Sequence, residues 1–343
     1  MKISKKLVFF VIVILFSLFL ILGSEVIAQE VLRVTTWGGQ YNKSYDETIG
    51  IFEKENNCKV EWVIGDCPSF NIKARLNQVD VVTTDLGHSI AGENEGLWAE
   101  LDPTKIPNMA HLYDIAKYSQ YTVFANVGDF VLAYNSKYIK TTPTSWNELW
   151  DPAYKNRVAL YQFLGSPTLG LMLQQAEQAG GGIDNIDPGL DRMYELYKSG
   201  NIITFAGGDS EIQSLLETEE AWLAQSTNGR VVNSWEKGLD FIKLARPKEG
   251  TVGMITTLNV VKGTKKLDLA MKFINYALSP ECQLVFAQNS YYSPTVDNVK
   301  IPTELESILL SQEEIGRLFI PDWSKINKVK DEWAERWDKM ISQ

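Results

Sequence analysis

With 343 residues and 43 acidic against 33 basic side chains, the chain is too acidic to suit nucleic acid or an anionic membrane surface as a partner. A hydrophobic content of 45% and a charged content of 22% exclude a disordered or fibrous protein and leave a folded chain with core enough for about two domains.

The first 28 residues stand apart. Lys2, Lys5 and Lys6 precede an uncharged apolar run at 7–22, and Val26-Ile27-Ala28 supplies small and apolar residues before Gln29. Basic region, apolar region and cleavage site together read as a secretory signal peptide, with an uncleaved anchor as the rival. Its removal takes three Lys and one Glu, so the remainder is more negative than the −10 of the whole.

Only Cys58, Cys67 and Cys282 are present. The first two flank a strand-type run at 59–64, about 20 Å long at ~3.3 Å per residue, whereas a disulfide needs Cα atoms within about 7 Å. Free thiols are the expectation; a bond would need the Gly65-Asp66 turn to fold back.

Residues 31–36 read as a strand, Trp37-Gly38-Gly39 as a break, and Asn42 or Ser44 as the cap of a helix carrying Tyr45, Ile49 and Phe52. Such a turn sits at the carboxyl end of a strand, where main-chain N–H groups are free and ligands bind. An ordinary turn with Trp37 packed into the core reads equally well. Strand-type runs at 79–82 and 98–101 and helical ones at 69–77 and 88–97 continue an alternation that implies a mostly parallel sheet with helices on both faces. Runs at 123–126 and 130–134, split by Val127-Gly128-Asp129, mark a crossing out of the first lobe. Ser145 and Glu148 have capping-box spacing.

After a strand at 158–161, Gly165-Ser166-Pro167-Thr168 marks a helix start with Ser as cap and Pro first. A helix at 190–197, strands at 202–205 and 221–225, a turn at 227–230 and a strand at 241–244 follow. The run at 257–261 returns to the first lobe. A helix at 267–278 is apolar on nearly every face, Ser279-Pro280 opens its successor, and Ile326, Val329, Trp333, Trp337 and Met340 form the stripe of an amphipathic docking helix.

Catalytic signatures are sparse. His88 and His111 lack metal-ligand spacing to each other or to Cys, and there is no Gly-x-Ser-x-Gly, phosphate loop or dinucleotide fingerprint. Neither metal nor cofactor is expected. Adjacent Tyr291 and Tyr292 raise ferric coordination, but without supporting His or carboxylate spacing they read as core or cleft. A secreted hydrolase using paired carboxylates such as Asp85 or Asp209 is the rival to a binding protein. Several strand-end turns carry flat or hydrogen-bonding side chains, and between two lobes they converge on a cleft. The candidate ligand-binding set is Trp37, Gly38, Tyr41, Thr84, Asp85, Ser166, Thr168, Asn228, Arg230, Thr256 and Tyr292. Arg230 is either a solvated turn residue or a bidentate grip on an acid group.

Trp37 after the first strand, Val79-Asp80-Val81-Val82, Ser145-Trp146-Asn147-Glu148-Leu149-Trp150 with Pro152 and Tyr154-Lys155, Pro247-Lys248-Glu249-Gly250, and residues 270–278 before Ser279-Pro280 occur in that order. In them the chain resembles the periplasmic solute-binding proteins of ABC importers, in the group that includes spermidine/putrescine-binding proteins. The resemblance implies an α/β fold of two lobes joined by a hinge, with an interlobe ligand cleft. It places 29–130 and 260–300 in the first lobe, 131–259 in the second, and 301–343 as a helical segment packed on them. It further implies a periplasmic monomer that is not an enzyme, captures a small-molecule ligand and delivers it to an ABC permease of the inner membrane. The polyamine-specific pattern is met less well. Gln162-Phe163-Leu164-Gly165-Ser166 stands where acidic residues are expected, and Met254-Ile255-Thr256 where Trp and Asp are. A solute bearing a carboxylate or phosphonate is therefore favoured, with a polyamine as the alternative.

Overall fold

The computed structural model describes residues 29–342; the expected signal segment, 1–28, lies outside the described residues. β1 (Glu30–Thr36), α1 (Gly39–Asp46), α2 (Ile49–Glu55), β2 (Cys58–Ile64), α3 (Cys67–Arg75), β3 (Val81–Asp85) and α4 (Leu86–Asn94) form the first alternating series. In it β1 pairs in parallel with β2 and β3, as helical crossovers require. β4 (Val123–Asn135) leads to a second series of β5 (Val158–Tyr161), α5 (Ser166–Gln178), α6 (Asp187–Ser199), β6 (Ile202–Ala206), α7 (Asp209–Glu217), β7 (Leu223–Thr227), α8 (Asn228–Glu236) and β8 (Ile242–Ala245). β9 (Val252–Val260) then returns to the first, followed by α9 (Leu267–Ala277), α10 (Pro280–Ser290), the short β10 (Ser293–Pro294) and, after short helical turns, α11 (Trp323–Ile341).

The strand order is β2-β1-β3-β9-β4-β7-β5-β6, with β8 and β10 also on β4. The sheet is mixed where a mostly parallel one was expected. Within each series the outer strands are parallel, but β3–β9, β9–β4 and β4–β7 are antiparallel. The physical reason is that β4 and β9 run out and back between the two lobes. The two runs expected at 123–126 and 130–134 are one strand of 13 residues. Gly128 stays in register with Met254, and a Cβ on it would stand only 2.6 Å from the Met254 Cε. The buried Asp129 carboxylate is met by Arg246 Nε at 2.8 Å and by the Thr251 hydroxyl at 3.0 Å. Partners from distant segments thus satisfy a sequence that locally looks like a break.

Each lobe has its own core. Leu32, Val34, Tyr45, Phe124, Phe273 and Phe286 are buried together in the first, and Leu132, Trp146, Leu160, Leu171 and Met193 in the second. Fully burying one such side chain contributes about 1.5–3 kcal/mol. α11 joins the second core through Ile326, Trp333 and Trp337, with Val329 and Met340 partly buried as the stripe predicts. Trp337 stacks on Phe163 with ring centroids 4.7 Å apart.

Three local readings are corrected. α1 begins at Gly39 rather than under a cap at Asn42 or Ser44, because Gly38 supplies a φ of 74° and no side chain caps the helix. Residues 227–230 open α8 instead of making a free turn, since the Thr227 hydroxyl accepts the Arg230 N–H at 3.3 Å. At 98–101 the strand reduces to a single bridge between Trp98 and Val261. Cys58, Cys67 and Cys282 are buried and free.

Candidate functional site

Carboxyl ends of strands and amino ends of helices from both series meet along β9, and Met254 separates the space between them into two compartments. The first is a cavity of about 350 Å³ lined by Gly38, Tyr41, Ser290 and Tyr292 on one side and by Asp209, Asn228, Arg230 and Asn233 on the other. The second, of about 500 Å³, lies between Asp85 and His88 on one side and Leu164, Ser166 and Phe130 on the other; Trp323, Asn327 and Lys330 of α11 also line it.

Local sequence explains how the first compartment is built. Gly38 sits in the left-handed region, which glycine adopts without strain, and so starts α1 with main-chain N–H groups that no side chain caps. Tyr41, one turn in, is buried and packs edge-on to Trp37 and Tyr292, at centroid distances of 5.0 and 5.8 Å. Its hydroxyl accepts from Asn126 Nδ2 at 3.1 Å. Burial pushes the Tyr41 phenol well above its ordinary value and that of Tyr292 up to about 12, so both are neutral at physiological pH. Across the cavity, Asp209 at the start of α7 accepts from the Tyr161 hydroxyl at 2.5 Å and from Arg230 Nε at 3.3 Å. Among the described residues nothing engages Nη1 and Nη2 of Arg230, which is half exposed. They are the cavity's free cationic donors.

The second compartment centres on the β3–α4 turn. Asp85 caps α4, taking the His88 N–H on Oδ1 at 2.9 Å, and His88 Nδ1 lies 2.8 Å from its Oδ2. Burial opposes ionisation, but the His88 contacts outweigh it and hold the Asp85 carboxyl below the usual range. Cys67, the first residue of α3, lies behind this pair; burial and the Asp85 charge push its thiol up to about 11. Ser166, expected as a cap, is the first residue of α5, and Gly165 occupies the cap position.

The fold brings Gly38, Tyr41, Asn228, Arg230 and Tyr292 together in the first compartment and Asp85 and Ser166 in the second. Trp37, expected at the mouth, lines neither; its ring packs on Tyr41 and Phe70, and its indole N–H donates to Cys67 Sγ at 3.3 Å. Thr84, Thr168 and Thr256 are buried. The Thr168 hydroxyl is occupied with the Tyr161 carbonyl and Gln225 Oε1, at 2.8 and 2.9 Å. Sequence reasoning passed over Asn233, Ser290, His88, Asn327 and Lys330. The spacing of Asn327 and Lys330 puts them on one helical face, a signal that could have found them.

Two α/β lobes on a shared mixed sheet, with strand ends and helix starts facing a polar cleft, define a binding-protein fold of the two-lobed kind. The chain belongs to the bacterial extracellular solute-binding proteins, whose family model matches residues 47–307. It is 26% identical over 238 residues to a gamma-aminobutyric acid-binding protein of Pseudomonas aeruginosa, a match spanning 63% of this chain and 61% of that relative's length. It is 23% identical over 343 aligned residues to a periplasmic protein of Salmonella typhimurium assigned to 2-aminoethylphosphonate binding, covering 95% of this chain and 97% of the relative. Among solved structures, an ABC transporter protein of Clostridium perfringens superposes with a TM-score of 0.79 at 25% identity, covering 90% of this chain and 99% of the other. Among the described residues, no helix is long and apolar enough to cross a membrane.

Proposed function

We propose that the chain captures a small zwitterionic solute, an amine joined by a short spacer to a carboxylate or phosphonate, in the compartment between Tyr41 and Arg230. The observation that carries this reading is charge balance. Among the described residues lining that compartment, Asp209 and Arg230 are the only charged ones, so their formal charges sum to zero. A zwitterion keeps the balance, whereas a polyamine would bring two or more positive charges to one carboxylate that is already paired. In this reading the Nη groups of Arg230 and the uncapped N–H groups of α1 take the acid group. Asp209 and the faces of Tyr41 and Tyr292 take the ammonium. Gly38 and Asn228 complete the contacts. The two relatives, whose names carry an amino acid and an aminophosphonate, support the same class.

The reading extends to the protein's setting. The lobes divide at 29–130 with 260–300 and at 131–259, with 301–343 packed on them. Residues 1–28 direct the chain to the periplasm, where it acts as a monomer, takes up the solute at Arg230 without a cofactor and carries out no catalysis. It hands the solute to an ABC permease of the inner membrane. Titration calorimetry and thermal melts with ω-amino acids, aminoalkylphosphonates, putrescine and spermidine test it. A zwitterion at 100 times its dissociation constant is expected to add about 2.7 kcal/mol of stability, and Arg230→Ala to abolish that gain. Stabilisation by polyamines alone, unaltered in Arg230→Ala, overturns it.

A further inference from the structure

The amino end of α3 and the β3–α4 turn place a thiol, a carboxylate and an imidazole together on the wall of the second compartment. One ligand atom from each of Cys67, Asp85 and His88 lies within 4.8 Å of the other two. Asp85 and His88 line the 500 Å³ cavity, while Cys67 is buried behind them. The carboxylate accepts the His88 N–H on Oδ1, capping α4, and the His88 ring faces both oxygens, Nδ1 lying 3.0 Å from Oδ1 and 2.8 Å from Oδ2.

Thiolate, imidazole and carboxylate form the donor set of a borderline-soft divalent ion. Calcium and magnesium, which favour all-oxygen cages, fit it poorly. Tetrahedral zinc with bonds of about 2.0–2.3 Å sets its ligand atoms about 3.3–3.8 Å apart. With all three ligand atoms within 4.8 Å of one another, no separation has to shorten by more than about 1.5 Å to reach that geometry, and the 2.8 Å His88–Asp85 contact has to lengthen by about 0.5 Å, changes on the scale of side-chain torsions. The Trp37 indole N–H, 3.3 Å from Cys67 Sγ, is an outer hydrogen bond of the kind that steadies a metal-bound thiolate. This also accounts for an indole turned away from the cleft and toward a sulfur.

We infer that Cys67, Asp85 and His88 form a three-ligand site for a divalent ion of the zinc class, with its fourth position open to the second compartment. The inference is independent of which solute the Arg230 compartment takes. Three donors leave a fourth position for water or a solute donor, in contrast to the closed four-ligand arrangement of structural zinc. Binding replaces the Cys67 S–H proton by the metal and releases that proton to solvent.

The test uses the full chain freed of metal with EDTA, with Co²⁺ as a spectroscopic probe and Zn²⁺ in a competition titration against a chromophoric chelator. One equivalent of Co²⁺ should give a thiolate-to-cobalt charge-transfer band in the near ultraviolet. Cys67→Ser should abolish the band, and Cys67→Ser and His88→Asn should each lower Zn²⁺ affinity at least tenfold. Circular dichroism melts verify folding; should Cys67→Ser not fold, the half-exposed His88→Asn carries the test. Absence of the band at saturating Co²⁺, or Zn²⁺ affinity unchanged in the folded variants, overturns the site. Neither result bears on solute binding at Arg230.

Discussion

Asn228 Nδ2 donates to the main-chain carbonyl of Tyr291 at 2.8 Å, tying the start of α8 to the end of α10 across the cleft. Tyr291 is held there in a left-handed conformation, φ 56°, and its hydroxyl donates to Glu236 Oε1 at 2.5 Å further along α8. Hinge closure needs contacts made in one arrangement of the lobes and not in the other, and these two bonds are the test case for such a latch. Asn228→Ala is expected to raise the radius of gyration of the solute-free protein in small-angle scattering. It should also weaken solute binding about 2- to 10-fold, the worth of one hydrogen bond. Identical scattering curves would show that the latch does not hold the closed form.

Asp209 is shared between Tyr161 and Arg230. Asp209→Asn removes the compartment's negative charge and leaves Arg230 unopposed, so zwitterion binding should weaken at least tenfold while a simple dicarboxylate gains. Parallel calorimetric titrations of the two solutes check this, and equal losses for both would contradict it.

In the middle of β4, Asp129 is fully buried and Arg246 largely so. Arg246 Nη2 also donates to the Ile308 carbonyl at 2.8 Å. Breaking a buried pair on one side leaves the other charge uncompensated, so Asp129→Ala should cost about 3–5 kcal/mol in urea unfolding. Asp129→Leu combined with Arg246→Met should recover most of that loss. A double variant no better than the single one would mean that the pair does more than neutralise itself.

Asp322 caps α11, its Oδ1 accepting from the Ser324 hydroxyl and N–H and from the Lys325 N–H. These bonds, the Ser324 hydroxyl's first, hold its carboxyl below the usual range. A depressed folded value means that the cap's contribution is fully present above the unfolded value, about 3.9, and is lost as pH falls through the folded one. Asp322→Ala should therefore cost about 1 kcal/mol at neutral pH, with the difference from wild type shrinking only below about pH 4. Asp322→Asn should retain most of the cap. Urea melts across pH 3–7 decide it.

Much of the fold was legible because its signals are local. β1 and β5 are short apolar runs, and Ser279-Pro280 opens α10 as read, the Ser279 hydroxyl capping it by accepting the Cys282 N–H at 3.3 Å. The α11 stripe follows helical period and buries as one face. Failures fell where a distant partner overrides a local cue. Gly128-Asp129 looks like a break until Met254 and Arg246 meet it, and Asn228-Gly229-Arg230 looks like a turn until the Thr227 hydroxyl converts it to a helix start.

The sequence by itself determined most of the segments that become strands and helices, which strand ends carry polar and aromatic side chains, and, by ordered motifs, the kind of protein this is. Tertiary structure alone decided which of those ends face each other. The pairing of β9 with β3 and with β4, each more than a hundred residues from it in the chain, sets Arg230 opposite Tyr41, and the parallel order β2-β1-β3 turns Trp37 from the cleft onto Cys67. It also gathers Cys67, Asp85 and His88, whose spacing in the chain matches no metal motif. Backbone propensity acts over a few residues, whereas a site is a coincidence of side chains in space, and only the register of the sheet brings that about.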